Sequence, residues 1–190
     1  VWVGEMPSFY PETCAGSPYI DFSIRGEYEG AVCAILEGSW SGKDGIYTKD
    51  ASEKVFGKGY TTENRTAMTY PDWDLADMSR YIYQSRDGSK ALAFMTSKGC
   101  HFRCSFCFIS RPENAGRWCG FSVDEVTAQI ENLRTRCDFD EIHFYDRNFL
   151  MDRERAYAIM DRVRAMCLTV HALDVRLDLL DDDFIQRVLS

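Results

Sequence analysis

The sequence lacks any long apolar run. Its longest unbroken stretch, Ala31 to Leu36, is far short of the roughly 20 residues a membrane-spanning helix needs. It also lacks a cluster of lysine and arginine. With 22 basic against 30 acidic residues the net charge is −8, which argues against a phosphate-backbone partner, so no nucleic acid is expected. Internal repeats and low-complexity tracts are absent, and there is no basic n-region or h-region of a signal peptide, so a cytoplasmic protein is expected. The chain opens on Val1 without a methionine and stops at Ser190 inside a helical pattern. Both termini read as cut, and a piece of a larger protein is expected. What is present is ordinary for a globular chain: 190 residues, 45% apolar and 27% charged, enough for one domain or two small ones.

Cysteine is the exception to this plainness. Of the 8 cysteines, Cys100, Cys104 and Cys107 cluster, while Cys14, Cys33, Cys119, Cys137 and Cys167 are scattered. A secreted disulfide scaffold is usually shorter and spreads its cysteines through loops. Tight clustering without a secretory signal points instead to a reducing compartment and a metal or cluster site.

Three regions follow along the chain. In residues 1–40, Val1 to Gly4 reads as a strand end and turn, Asp21 to Gly26 as a short strand, and Glu27 to Glu37 as a helix with Ala31, Ala34 and Ile35 on one face. Gly4 and Gly26 each follow a strand, where a tight turn needs glycine. Residues 41–89 have weak periodicity and read as a connector with one hairpin, in which Trp73 could pin the segment against a neighbouring domain. Residues 90–190 alternate clearly. Ala91 to Thr96 is an apolar strand. Ser122 to Arg136 is a helix opened by a capping box with Glu125. Glu141 to Tyr145 is a second strand, Asp152 caps a helix running to about Met166, Leu168 to Val175 is a third strand, and Asp181 opens a last helix. Strand–helix repeats of this kind predict a parallel α/β sheet or barrel.

In such folds the reactive groups lie at the C-terminal ends of the strands. After the first strand come the three clustered cysteines, after the second Asp146, Arg147 and Asn148, and after the third Arg176 and Asp178. The cysteines have C-x-x-x-C-x-x-C spacing. Thiolates select zinc or iron–sulfur. Zinc normally takes a fourth ligand, and Cys119, His101 and His143 show no paired knuckle spacing. Three ligands and an open position fit a 4Fe-4S cluster whose fourth iron binds substrate. His143 falls on a strand face with no ligand role assigned, and the scattered cysteines read as small buried residues.

The loop Thr96-Ser97-Lys98-Gly99-Cys100 through Ser110, with Phe106 before the third cysteine, resembles the signature loop of the radical S-adenosylmethionine superfamily. The likeness continues through Trp118 and the capped helix to Phe144-Tyr145-Asp146-Arg147-Asn148-Phe149. That segment is similar to the D-D-N-F stretch of the cobalamin-dependent branch, with Arg147 in place of the second Asp. Gly4-Glu5-Met6-Pro7-Ser8 and Gly26-Glu27-Tyr28-Glu29 are similar to two turns at the end of that branch's cobalamin-binding domain, with replacements at Glu5, Met6 and Tyr28.

The resemblance implies an α/β fold: the C-terminal remnant of a Rossmann-like cobalamin-binding domain (1–40), a connector (41–89), and the first half of a partial (βα)6 TIM-like barrel (90–190). It implies that Cys100, Cys104 and Cys107 hold a 4Fe-4S cluster. It implies cofactor contacts from Phe106, Asp146, Asn148 and Arg176 to S-adenosyl-L-methionine, with cobalamin as a further cofactor. The reaction would start from a 5′-deoxyadenosyl radical and end in methyl transfer or ring closure on an unactivated carbon of a small-molecule substrate. An electron donor such as flavodoxin or ferredoxin would be the partner. Two other readings stay open: a radical enzyme without cobalamin, and a non-catalytic iron–sulfur or zinc module.

Overall fold

A computed structural model describes residues 1–49, 70–107 and 117–189. The chain divides into two compact units, Val1–Ala67 and Met68–Ser190. Most of the glycine-rich part of the connector, with Gly57 and Gly59, lies outside the described residues. Among the described residues no helix is long and apolar enough to cross a membrane.

The first unit is built from short pieces. Helices α1 (Glu5–Phe9) and α2 (Pro11–Ala15) precede strand β1 (Phe22–Ile24), helix α3 (Glu29–Leu36) and strand β2 (Ile46–Thr48). Strands β1 and β2 pair antiparallel, with Ser23 opposite Tyr47, and Trp2 adds an isolated parallel bridge to Ser23. Cys14, Ile24, Ala31 and Ala34 are buried. The two single-turn helices were not expected, because five residues show no helical period. Pro11 at the first position, where its missing N–H costs nothing, marks the start of the second.

Two glycines and a serine lock this unit's turns together. Gly4 has φ 103° and Gly26 φ 91°, a region closed to most side chains. The Ser8 hydroxyl donates to the Gly4 carbonyl at 2.6 Å and accepts from the Gly26 N–H at 3.1 Å. The turns that resemble the cobalamin-branch motifs are thus one hydrogen-bonded feature.

The second unit holds a four-stranded sheet of β3 (Ile82–Gln84), β4 (Lys90–Phe94), β7 (Glu141–Phe144) and β8 (Thr169–Leu173), in that spatial order. Strands β4, β7 and β8 are parallel, and β3 is an antiparallel edge. Helix α4 (Val123–Arg134) joins β4 to β7, α5 (Arg153–Ala165) joins β7 to β8, and α6 (Asp182–Leu189) follows. Leu92, Phe94, Ile142 and Phe144 from the sheet share one core with Val126, Ile130 and Leu133 of α4 and Ile159 and Val163 of α5. The apolar stripes of both helices therefore lie against one sheet face.

Two differences from the sequence reading affect the site. The strand expected over Ala91 to Thr96 ends at Phe94. Residues beyond it turn away into a separate antiparallel hairpin of β5 (Ser97–Cys100) and β6 (Arg117–Gly120). Within the stretch expected as a connector, β2 falls to the first unit and β3 to the second. Trp73 is taken up within the second unit, where its indole N–H donates to Gln129 of α4 at 2.8 Å. Tyr70 stacks on Phe121 with centroids 3.9 Å apart.

Candidate functional site

The groups that leave the ends of β4, β7 and β8 converge on the cysteine loop. Asp146, two residues past β7, is fully buried. Its carboxylate accepts the Thr96 N–H at 3.1 Å, the Thr96 hydroxyl at 2.8 Å and the Ser97 hydroxyl. Thr96 and Ser97 are buried as well. A buried charge needs several donors to remain tolerable, and these donors sit where the chain leaves β4 for the hairpin that carries Cys100. Asp146 thereby fixes the root of the loop.

Arg155 of α5 holds the same root from the other side. It donates to the carbonyls of Thr96 and Phe121, both at 2.6 Å, and lies 5.7 Å from the Trp118 ring. Burial pushes its pKa below arginine's ordinary value. Gly120 makes this approach possible: a Cβ there would stand 2.8 Å from the Trp118 ring and 3.0 Å from Arg155 Nε. The sequence reading missed Arg155, because on a helix of mixed charge it looks like any solvated residue.

The three cysteines are free thiols, each half-buried. Cys100 Sγ lies 3.9 Å from the Met151 thioether, which also receives the Asn148 side-chain amide at 3.3 Å. Asn148 is buried, and its Oδ1 has no hydrogen-bond partner among the described residues. Cys104 Sγ accepts from Arg176 Nη1 at 2.7 Å. The same guanidinium lies 3.9 Å over the Phe102 ring and donates two hydrogen bonds to the Asp178 carboxylate, at 2.9 and 2.7 Å. That pair raises Arg176 above, and lowers Asp178 below, their ordinary pKa values. Cys107 is tied back by its N–H to the Cys104 carbonyl at 3.0 Å.

Of the expected site residues, Cys100, Asn148, Cys104 and Arg176 meet in this way, while Asp146 serves the loop's root. Phe106 is 90% exposed. The end of the signature-like loop, residues 108–110, lies outside the described residues. Cys119, weighed as a fourth ligand, sits on β6 opposite Lys98.

Three thiols on one short loop are a donor set that suits an iron–sulfur core or zinc. The buried, unpartnered amide oxygen of Asn148 suits an incoming ammonium group.

No protein-family model matches the chain. It is 30% identical over 168 residues to an uncharacterized methyltransferase of Pyrococcus horikoshii, covering 85% of this chain and 36% of that one. It is 25% identical over 120 residues to an anaerobic magnesium-protoporphyrin IX monomethyl ester cyclase of a Synechocystis species, covering 56% and 22%. With the cytidylyl-2-hydroxyethylphosphonate methyltransferase of Streptomyces wedmorensis the identity is 26% over 188 residues, covering 80% and 35%. The chain thus spans about a third or less of the curated relatives it matches. Among solved structures, the apo form of the cobalamin-dependent S-adenosylmethionine radical enzyme OxsB matches with a TM-score of 0.52 and 16% identity, over 89% of this chain and 24% of that one. The chain is thus similar to two methyltransferases and a cyclase, and it shares its fold with a cobalamin-dependent S-adenosylmethionine radical enzyme.

Proposed function

We propose that the chain carries the cluster-binding part of a radical S-adenosylmethionine enzyme of the methyltransferase or cyclase type. Residues 90–190 would be the first half of its barrel, 41–89 a connector and 1–40 the end of a cobalamin-binding-like domain. The observation that carries this reading is the convergence of three strand ends on one cysteine loop. Asp146 ties it at Thr96 and Ser97, Asn148 reaches Cys100 through Met151, and Arg176 donates to Cys104.

Cys100, Cys104 and Cys107 would hold a 4Fe-4S cluster, which would supply single-electron reduction for S-adenosylmethionine. The residues of this chain do the positioning. Asp146 and Arg155 keep the loop's root from moving. Arg176 places positive charge and an N–H on one cluster sulfur, which favours the more negative, reduced state. Asn148 offers its free amide oxygen to the cofactor's ammonium group. Phe106, projecting from the loop, provides a face for an aromatic base.

A second reading, a radical enzyme of this type that binds no cobalamin, is favoured by the replacements at Glu5, Met6 and Tyr28 in the two turns that resemble the cobalamin-branch motifs. The test is anaerobic: reconstitute the protein with iron and sulfide, reduce it, and record EPR spectra with and without S-adenosylmethionine. A cluster signal that changes on adding the cofactor is expected. An unchanged signal would mean a fully ligated relay, and no cluster at all would mean that the cysteines serve another metal.

A further inference from the structure

A second group of ligating side chains stands apart from the cysteine loop, on the opposite face of the sheet from α4 and α5. Ile142 and Phe144 point into the helical core, so Glu141 and His143, which alternate with them along β7, occupy the other face. His171 joins them from β8. The pairing of these strands runs from Ile142↔Val170 directly to His143↔Ala172, which makes His171 the extra residue of a bulge. Bulges re-aim a side chain, and here the His171 imidazole stacks on that of His143, with centroids 4.6 Å apart and planes 21° from parallel.

The ligand atoms are already close. His171 Nδ1 lies 3.3 Å from Glu141 Oε2, and His143 Nε2 lies 3.9 Å from the same oxygen. One ligand atom from each of the three residues falls within 4.8 Å of the others. Donors around a tetrahedral cation with bonds of 2.0–2.1 Å stand about 3.3–3.4 Å apart, so the Glu141–His171 pair already has that spacing and the Glu141–His143 pair needs about half an ångström of closure.

Two neighbours orient the set. The Tyr83 hydroxyl engages His143 Nδ1, leaving Nε2 as the nitrogen that faces Glu141. The small side chain of Ala91, opposite both Tyr83 and Glu141 in register, lets the phenol lean across β4. The Ser85 hydroxyl donates to Glu141 Oε2. Outer hydrogen bonds that fix an imidazole and a carboxylate are the usual support of a metal ligand. Most telling, His143 is 8% exposed and its Nε2 has no hydrogen-bond partner among the described residues. A buried polar atom left without a partner calls for an explanation, and a cation uses its lone pair.

We infer that Glu141, His143 and His171 form a site for one divalent first-row transition cation, separate from the cysteine loop. Two imidazoles and a carboxylate select zinc, iron(II), cobalt(II) or nickel(II) over magnesium and calcium, which want oxygen alone. Three protein ligands leave a position for water or a small-molecule donor, and the half-exposed His171 side chain keeps that position reachable.

Cobalt(II) tests the site, because its colour reports its ligands. In metal-free protein carrying Cys100→Ser, Cys104→Ser and Cys107→Ser, one equivalent of cobalt(II) is expected to bind. It should show visible d–d bands, no thiolate charge-transfer band, and displacement by zinc. His171→Ala, at the least buried ligand, should weaken binding more than about tenfold, the loss that removing even an outer-shell partner brings, with the circular dichroism unchanged. His143→Gln should do the same. Substoichiometric binding, a thiolate band, or undiminished affinity in His171→Ala would overturn the assignment. Should the triple variant fail to fold, zinc analysis of cluster-loaded protein decides instead. One zinc per chain, lost in His171→Ala, supports the site, and equal zinc in both proteins refutes it.

Discussion

Asp146→Ala would strand three donors in a dry place: the Thr96 N–H and the hydroxyls of Thr96 and Ser97. Each unsatisfied buried group costs about 1–3 kcal/mol, with partial relaxation by neighbours, so a loss of about 2–4 kcal/mol is expected in chemical denaturation. Asp146→Asn keeps one acceptor and should fall between. A loss under about 0.5 kcal/mol for the alanine variant, the range of an ordinary surface change, would mean that the loop's root is held by something else. At Arg176 the expected readout is electrical. Arg176→Gln removes a cation from Cys104 Sγ, and the midpoint potential of the reconstituted cluster should become more negative in an EPR-monitored titration. An unchanged potential would separate Arg176 from the cluster and leave it as the partner of Asp178 alone.

Helix α4 is the element whose start can be tested most directly. Ser122 and Glu125 form both halves of a capping box, with the Glu125 N–H donating to Ser122 Oγ at 3.2 Å and the Ser122 N–H to the Glu125 carboxylate at 2.8 Å. Ser122→Ala should cost about 1 kcal/mol. The Ser122 bonds hold the Glu125 pKa below the ordinary glutamate value. A depressed folded-state pKa stabilises above the unfolded value and ceases to do so as pH falls through the folded one. The penalty of Ser122→Ala should therefore shrink below pH ~4.3, read from paired denaturation curves at pH 7 and pH 3. A constant difference would assign the effect to the hydroxyl alone. This cap was legible in the sequence because it is a local pattern, as were β4, β7, α5 and β8, whose apolar spacing is written in consecutive residues. Strand β3 was not, because three residues are too few to show a strand's alternation. The Glu141, His143 and His171 cluster escaped because its pairing is non-local. Parallel pairing and a bulge bring together residues 141 and 171, and His143 alone on a strand face gives no sign of either neighbour.

At the scale of the whole molecule, the cysteines and the core occupy different places. The second unit's core gathers Leu92, Ile130, Ile142, Phe144, Ile159 and Val163, all 3% exposed or less, whereas Cys100, Cys104 and Cys107 are half-buried and outside that cluster. A small metallo-domain that folds around its metal unfolds when the metal is removed, because ion binding supplies its folding free energy. Here the apolar core is complete without the loop, and Asp146 and Arg155 fix the loop's root through protein donors and acceptors. Stripping the reconstituted protein with a chelator should therefore bleach the cluster's absorption while leaving the helical circular dichroism in place. Re-addition of iron and sulfide should restore the absorption without a refolding step. Loss of the helical signal together with the cluster would mean that the cysteine loop carries folding energy, and that the sheet's order depends on the metal it presents.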